Sequence, residues 1–254
     1  MVAPGLTDAT RTALAELLLS LADDEFVIGF WDSEWTGIAP MLEEDVAMSS
    51  ISQDEIGHAR ALYELLASLT DADADAIAFG RSPGEFRHAA LLNHARTDWA
   101  FTIARRFLYE TADATRLAAL ARSSYEPLAN LAAKMRREES YHLMHIETWL
   151  RRLASGTGAE RLRDALTRAW PDAQAIFTPL AGEHELVRSG ILPEPLTDLR
   201  TRWAERVGSV LGELGITLDA AVVADDGRTR RTDEFEWLHG QFTMVAASEE
   251  GATW

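Results

Sequence analysis

Apolar side chains recur at intervals of three and four residues along most of this chain, which is the spacing of one face of an α-helix. Alanine, leucine, glutamate and arginine fill these stretches, whereas the alternating pattern of a β-strand is scarce. We therefore predict an all-α fold. The predicted helices span about residues 8–34, 41–69 and 96–121, a stretch that starts beside Pro127 and runs to about 154, and about 158–189, 195–214 and 233–247.

Turn signals arrange the first four long helices as two antiparallel hairpins. Pro40 separates the first helix from the second, and a turn near residue 124 separates the third from the fourth. Two hairpins of this kind pack as a four-helix bundle. We expect one domain over residues 1–254, with its core bundle at about 8–154 and accessory helices at about 158–247 packed on that bundle.

Glutamate and histidine three residues apart lie on one helix face, and Glu-x-x-His is the pattern that two helices of a bundle contribute to a two-metal site. The chain holds four such pairs, so the spacing alone does not identify a site. Each pair in a metal site also needs a partner carboxylate at the same height on the neighbouring helix. The four pairs are Glu55/His58, Glu85/His88, Glu139/His142 and Glu236/His239.

Two of the four pairs meet this second condition. Glu25 lies 30 residues before Glu55, and the midpoint between them is the proline of the first turn. Glu110 lies 29 residues before Glu139, and their midpoint falls in the second turn. Residues equidistant from a hairpin turn lie level with each other, here about 15 residues or roughly 22 Å along the helices. The other two pairs have no separate acid at the corresponding position.

The selected side chains also fall on the apolar faces of their predicted helices, where they would be buried. Four buried carboxylates are strongly unfavourable without compensation, whereas two divalent cations neutralise four negative charges. We therefore predict a site for two metal ions, and we expect no catalytic side chain beyond the metal ligands. The six predicted ligands are Glu25, Glu55, His58, Glu110, Glu139 and His142.

The chemistry of this ligand set favours iron, with manganese as the alternative. The chain has no cysteine, which excludes disulfides and thiolate ligands. Carboxylates combined with two imidazoles are more typical of iron and manganese than of a structural zinc site. Asp54 and Glu138 each precede a predicted ligand, and we expect them to accept the ring N–H of the ligand histidines in a crossed arrangement, Asp54 from His142 and Glu138 from His58.

The charge balance argues against a polyanionic partner. The chain has 41 acidic and 24 basic residues and a formal net charge of -17, so we expect no nucleic acid partner. Arginine pairs such as Arg105/Arg106 and Arg136/Arg137 are interpreted as solvated helix faces, with a phosphate or a partner's carboxylates as the alternative. No apolar run is long enough to cross a membrane, and the N-terminal stretch lacks a signal-peptide pattern, so we expect a soluble cytoplasmic protein.

A family resemblance comes from EWTGIAP, QDEIGHARALYELLASL, ARSSYEPLANLAAKMRREESYH, WLRRLASGTG and the ending GATW. On these stretches the chain resembles the ferritin-like subunits of bacterial phenylacetyl-CoA epoxidase, the multicomponent ring oxygenase of phenylacetate catabolism. Its length and ending are similar to the PaaC type of subunit, whereas QDEIGHA and EESYH are also similar to the catalytic PaaA type. The resemblance implies a ferritin-like four-helix bundle with additional C-terminal helices.

The resemblance implies one of two roles in an oligomeric complex. A PaaA-like chain uses a di-iron site to activate O2 and epoxidise the aromatic ring of a CoA thioester, with electrons from a separate reductase. A PaaC-like chain is a non-catalytic structural partner with a degenerate metal site. The complete ligand set departs from that degenerate pattern and favours an oxygenase component that binds two iron ions and assembles with a PaaA-like or a second PaaC-like chain. A stand-alone ferritin-like ferroxidase is the third alternative, which the additional C-terminal helices disfavour.

Overall fold

The computed structural model describes residues 6–248, and these residues form nine α-helices and no β-strand. The all-α prediction is therefore confirmed, while the terminal GATW stretch lies outside the described residues. The helices are α1 (Asp8–Ser33), α2 (Leu42–Thr70), α3 (Ala74–Phe79), α4 (Trp99–Leu120), α5 (Glu126–Ser155), α6 (Ala159–Ala173), α7 (Glu183–Ser189), α8 (Leu196–Glu213) and α9 (Asp233–Ser248).

Local capping explains where the long helices begin. The Thr7 hydroxyl accepts the backbone N–H of Thr10 at 3.1 Å and so caps α1. The Asp98 carboxylate accepts the N–H of Phe101 at 2.8 Å and caps α4 in the same way. Pro127 lies in the first turn of α5, where its missing N–H costs no helical hydrogen bond. The four long helices consequently begin and end within three residues of their predicted positions.

The four long helices form the bundle. Helix α1 packs along α2, α4 packs along α5, and α2 packs against α5, so that the two hairpins enclose a common core. Each helix contributes apolar side chains that are at most 2% exposed, for example Leu18 on α1, Leu62 on α2, Ile103 on α4 and Ile146 on α5. Burial of these side chains supplies the main driving force for packing the bundle.

The single helix predicted at 158–189 is wrong. Helix α6 ends at Ala173, a 3-10 turn follows over Gln174–Phe177, and only α7 is helical again. Pro179 has no backbone N–H for a helical hydrogen bond, and Gly182 adopts a φ of 76°, which is the left-handed region. The apolar spacing continues through this break because both segments pack on the same bundle. The short helix α3 also forms between the second and third predicted helices, where no helix was predicted.

The accessory helices cover the outer faces of the bundle. Helices α6 and α8 pack on α4, α7 packs on α1, and α9 contacts both α1 and α3. On α8 the buried Trp203 indole N–H lies 3.0 Å from the Thr111 hydroxyl of α4. Helices α1 and α4 are therefore enclosed on several sides. No helix within residues 6–248 combines the length and the apolar character that crossing a bilayer requires.

Candidate metal centre

All six predicted ligands meet in the middle of the bundle. Helices α1 and α4 each supply one glutamate, whereas α2 and α5 each supply a glutamate and the histidine one turn later. Every one of these side chains is at most 4% exposed. The register of the two hairpins therefore brings acids that are far apart in the sequence to the same height. The six are Glu25, Glu55, His58, Glu110, Glu139 and His142.

The six side chains form two overlapping sets of possible metal ligands. Within each set, one ligand atom from every residue lies within 4.8 Å of all the others. The first ligand group is Glu25, Glu55, His58 and Glu139. The second ligand group is Glu55, Glu110, Glu139 and His142. Because Glu55 and Glu139 belong to both groups, their carboxylates are placed to bridge two ions, while each group keeps one glutamate and one histidine of its own.

A glycine on α1 allows the first hairpin to close tightly at the site. A Cβ atom added at Gly29 would lie 2.9 Å from Cγ1 of Ile56 and 3.1 Å from Cβ of Glu55, so there is no room for a side chain. Gly29 is one turn after Glu25 and faces the part of α2 that carries the ligands. The absence of a side chain at this position therefore sets the short distance between Glu25 and Glu55.

The two histidines point the same ring nitrogen into the site. His58 Nδ1 lies 3.1 Å from Oε1 of Glu139 and 3.7 Å from Oε2 of Glu25. His142 Nδ1 lies 3.4 Å from Oε1 of Glu139 and 3.6 Å from Oε1 of Glu55. Nδ1 is therefore the nitrogen that faces a metal position in each ligand group, and Nε2 faces outward.

The outward nitrogens contact the two acids that were expected as their acceptors. His58 Nε2 lies 2.8 Å from Oε2 of Glu138, and His142 Nε2 lies 3.1 Å from Oδ2 of Asp54. Each acid thus pairs with the histidine of the other hairpin. An Nε2–H that donates to a carboxylate leaves Nδ1 as the lone-pair nitrogen and holds the ring in place, which is what a metal ligand requires.

Many of the inward-facing atoms are buried without a hydrogen-bond partner. They comprise both histidine Nδ1 atoms, both carboxylate oxygens of Glu110 and of Glu139, and one oxygen each of Glu25 and Glu55. Buried polar groups are normally paired, so a cluster of unpaired lone pairs directed at common points fits bound cations. The set consists of oxygen and imidazole ligands without sulfur, which suits iron or manganese.

Without metal, protons balance the charge of the cluster. Burial, together with the neighbouring Glu55, raises the pKa of Glu25 well above its usual value, and burial likewise raises the pKa of Glu110. Burial alone would lower the pKa of His142, but the nearby carboxylates of Glu139 and Glu55 outweigh it and raise that pKa to about 11. Cations that bind here must therefore displace protons.

Arg106 is a member of the cluster that the sequence interpretation missed. Its Nη2 atom lies 2.6 Å from Oε1 of Glu55 and 2.5 Å from Oε1 of Glu110, and its Nη1 atom lies 3.2 Å from Oδ2 of Asp32. The interpretation of Arg105 and Arg106 as a solvated helix face is wrong, because both residues are 0% exposed. The signal for this role in the sequence is the spacing: Arg106 precedes Glu110 by four residues and so shares its helix face.

A second network of buried hydrogen bonds and ion pairs contacts Glu25. The Tyr109 hydroxyl donates to Oε1 of Glu25 at 2.8 Å, and Arg116 in turn donates to the Tyr109 oxygen at 3.2 Å. Arg116 also pairs with Asp24 at 2.6 Å and with Asp113 at 2.9 Å. Burial raises the pKa of Asp113 to about 7 in spite of Arg116. This network orients Glu25, and nothing in the Glu-x-x-His pattern indicated it.

The two remaining Glu-x-x-His pairs do not join a ligand group among residues 6–248. Glu85 is exposed and caps a 3-10 turn, while His88 is buried with its Nε2 atom 2.9 Å from the side-chain oxygen of Asn93. His239 Nε2 lies 2.8 Å from the carbonyl oxygen of Arg81. Both histidines are therefore structural residues, which agrees with the register condition that set them aside.

Sequence comparison with known proteins identifies a family and two relatives of this chain. A family model described as "Phenylacetic acid catabolic protein", of PaaA and PaaC type, matches residues 4–254. The chain is 30% identical over 203 residues to the C subunit of the 1,2-phenylacetyl-CoA epoxidase of Escherichia coli (strain K12), which covers 79% of this chain and 82% of that relative. It is also 30% identical over 176 residues to the A subunit of the same organism's epoxidase, covering 68% of this chain and 57% of that relative. The chain therefore belongs to the phenylacetic acid catabolic protein family.

Proposed function

We propose that this chain is a subunit of a multicomponent phenylacetyl-CoA epoxidase and that it holds two metal ions, iron first and manganese as the alternative, between its two hairpins. The observation that carries the proposal is the pair of overlapping ligand groups, whose inward atoms are buried and unpaired. Two divalent cations would satisfy these lone pairs and balance the four carboxylates. The names of the two relatives support the assignment to the epoxidase.

The residues around the site would prepare it for oxygen chemistry. Bound at these ligands, a pair of iron ions would supply the electrons and coordination positions with which O2 is activated. The chain's own contribution would be to hold the two ions with the six ligands, of which Glu55 and Glu139 belong to both groups, to fix the histidine rings through their outward hydrogen bonds, and to bury the site. The outward hydrogen bonds thus hold the two histidines in one orientation before any ion binds.

The proposed substrate and partners follow from the epoxidase relatives. We propose an aromatic acyl-CoA as the substrate of the complex, a reductase as its electron source, and a PaaA-like or second PaaC-like chain as the neighbouring subunit. A surface hollow of about 340 Å³ between α2 and α5 reaches the outer side of His142. Asp54 and Glu138 line this hollow together with exposed Tyr141, so on this face the surface reaches the acids that contact the ligand histidines.

A non-catalytic structural role in the complex is the second candidate. Arg106 brings a fixed positive charge against two of the ligand carboxylates, which is a feature of a structural ion-pair network as much as of a metal site. The match to the C-type relative also covers more of the chain than the match to the A-type relative. In this role the chain would stabilise the complex, with or without metal, while another component performs the oxidation.

Metal content tests the proposed centre. The wild type, Glu55→Ala and Glu64→Ala would be loaded anaerobically with Fe(II), desalted and analysed for iron. Glu55 belongs to both ligand groups, whereas Glu64 is an exposed residue of the same helix that pairs with Arg60. We expect iron in the wild type and in Glu64→Ala and a large loss in Glu55→Ala. Iron at no more than trace levels in the wild type would overturn the metal centre.

Turnover by the assembled complex separates the two candidate roles. Reductase-coupled oxidation of phenylacetyl-CoA would be measured with the partner proteins present, using either the wild type or Glu55→Ala. An oxygenase component predicts that Glu55→Ala abolishes oxidation while the complex still assembles on a sizing column. Unchanged oxidation by the Glu55→Ala complex would assign the chemistry to another component and leave this chain a structural role.

A further inference from the structure

The two ligand groups differ because a buried arginine side chain lies beside the second group. The Arg106 guanidinium contacts Glu55, which the two ligand groups share, and Glu110, which belongs to the second group alone. It pairs with neither the glutamate nor the histidine that belongs to the first group alone. The side chain is fully buried, so water does not screen its charge. A fixed positive charge therefore lies beside one of the two possible metal positions, that of the second ligand group.

The same position in the other hairpin is apolar. Glu25 on α1 and Glu110 on α4 have equivalent places in the bundle, since each is the single carboxylate that its helix contributes to the ligand groups. Four residues before Glu110 is Arg106, whereas four residues before Glu25 is Leu21, a core residue that is 3% exposed. Within an approximately twofold arrangement of ligands, the guanidinium is the charged element that breaks the symmetry.

The guanidinium and a divalent ion compete for the same oxygens. Oε1 of Glu55 accepts a hydrogen bond from Nη2 of Arg106 at 2.6 Å, and Oε1 of Glu110 lies 2.5 Å from the same nitrogen in an ion pair. An ion placed within the second ligand group would lie a few ångströms from the guanidinium, where like charges repel strongly in a buried environment. The first ligand group keeps its own carboxylate, Glu25, which receives a neutral hydrogen bond from Tyr109 instead.

We infer that Arg106 makes the two metal positions unequal: the first ligand group binds an ion with the guanidinium in place, and the second binds one only after Arg106 has withdrawn from Glu110. Asp32 offers the guanidinium a place to withdraw to, because its carboxylate already lies 3.2 Å from Nη1 and belongs to neither ligand group. The inference rests on the proposed metal centre and adds an order of loading to it.

Binding of Mn(II) tests this order directly. Mn(II) would be titrated into the anaerobic protein, with free Mn(II) followed by electron paramagnetic resonance, which also detects magnetic coupling between two bridged ions. We expect the wild type to bind one ion tightly and a second at least about tenfold more weakly. Arg106→Leu, which copies the residue of the other hairpin, should bind two ions with similar affinity and show the coupled signal.

Three further variants control for charge, packing and folding. Arg106→Lys keeps a cation and should keep the weak second site. Arg105→Leu removes the neighbouring buried arginine, which pairs with Asp32 and contacts no ligand glutamate, and it should behave as the wild type. If Arg106→Leu does not fold, Arg106→Gln serves in its place, because it removes the charge and still donates a hydrogen bond.

The outcomes distinguish this inference from the metal centre itself. Two equally tight ions in the wild type, or a second site that stays weak in folded Arg106→Leu and Arg106→Gln, would overturn the role of Arg106 and leave the metal centre standing. Absence of bound Mn(II) and Fe(II) from every variant would overturn the metal centre. A strengthened second site in the charge-removing variants alone supports the inference.

Discussion

At the scale of single residues, the two half-exposed acids beside the site control the histidine ligands. Glu138 and Asp54 have side chains that are 41% and 44% exposed, yet each lies within hydrogen-bond distance of a buried histidine. Because the pairing is crossed, Glu138 on α5 orients His58 of the first ligand group, and Asp54 on α2 orients His142 of the second. Each surface acid can therefore be removed to perturb one metal position at a time.

Replacement of Glu138 by alanine should weaken the first metal position. Loss of the acceptor frees the His58 ring to rotate and to change tautomer, and loss of such a partner typically costs about 10- to 100-fold in metal affinity. The measurement is the Mn(II) dissociation constant of the tight site. Glu147→Ala is the matched control, since Glu147 lies on the same helix, pairs with Arg206 and belongs to neither ligand group.

The companion variant Asp54→Ala tests the crossed arrangement. It should leave the tight site unchanged and weaken the second, because its partner His142 belongs to the second ligand group alone. Equal effects of the two alanine variants on the tight site, or an effect of Glu138→Ala no larger than that of Glu147→Ala, would contradict this assignment of partners.

At the scale of helices, the approach of α1 to α2 determines the geometry of the first ligand group. The lack of a side chain at Gly29 lets the backbone of α1 lie against Ile56 and the carbonyl oxygen of Ser52. Glu25 is one turn away on the same helix and Glu55 directly faces the glycine. A side chain at this position would therefore separate the two carboxylates as well as the two helices.

Gly29→Ala should destabilise the protein and weaken metal binding together. The added methyl group would lie 2.9 Å from Cγ1 of Ile56 and 3.2 Å from the Ser52 carbonyl oxygen, and overpacking of this kind costs about 1–3 kcal/mol. Urea unfolding with and without Mn(II) measures both effects. Gly57→Ala is the control on α2, where an added methyl meets nothing within 4 Å and should raise stability by up to about 1 kcal/mol.

A result in which both glycine variants gain stability would contradict the close approach of the two helices. Loss of stability in Gly29→Ala without any change in Mn(II) affinity would retain the packing contact and remove its link to the metal centre. The comparison works because both substitutions make the same chemical change in a helix of the same hairpin.

At the scale of the whole molecule, the C-terminal part of the chain is tied to the bundle next to a ligand. Arg228 precedes α9, and its guanidinium pairs with both carboxylate oxygens of Asp24, at 3.1 and 3.0 Å. Asp24 also receives Arg116, and it immediately precedes Glu25. Because this buried pair joins the segment that leads into α9 to the bundle, we predict that residues of the accessory helices and of the core unfold in one transition.

Arg228→Met should lower the free energy of unfolding by about 3 kcal/mol or more, because it leaves a buried carboxylate with a single cationic partner. Arg230→Met is the matched control, since Arg230 is 44% exposed in its pair with Asp172 and should contribute less than about 1 kcal/mol. Thermal unfolding followed by circular dichroism and by calorimetry measures both. Similar losses in the two variants, or two separate transitions in the wild type, would contradict a single cooperative unit.

The bundle helices and the positions of the six candidate ligands could be predicted from the chain alone because both depend on distances along it. The 3.6-residue period identifies the faces of α1, α2, α4 and α5, and the number of residues to a turn sets which acids lie level. The same reasoning extended to the accessory region failed at one place. There Pro179 and Gly182 interrupt a helix whose apolar spacing continues.

The partners of Arg106 could be decided only by the tertiary structure. The interpretation of Arg105 and Arg106 as a solvated face assumed that α4 has a face in water, as a helix on the outside of a bundle does. Instead α5, α6 and α8 cover α4, and every residue from Ala100 to Asp113 is buried. Charged side chains on a helix enclosed on all sides must find partners inside the protein, and the periodicity of one helix carries no information about what its neighbours cover.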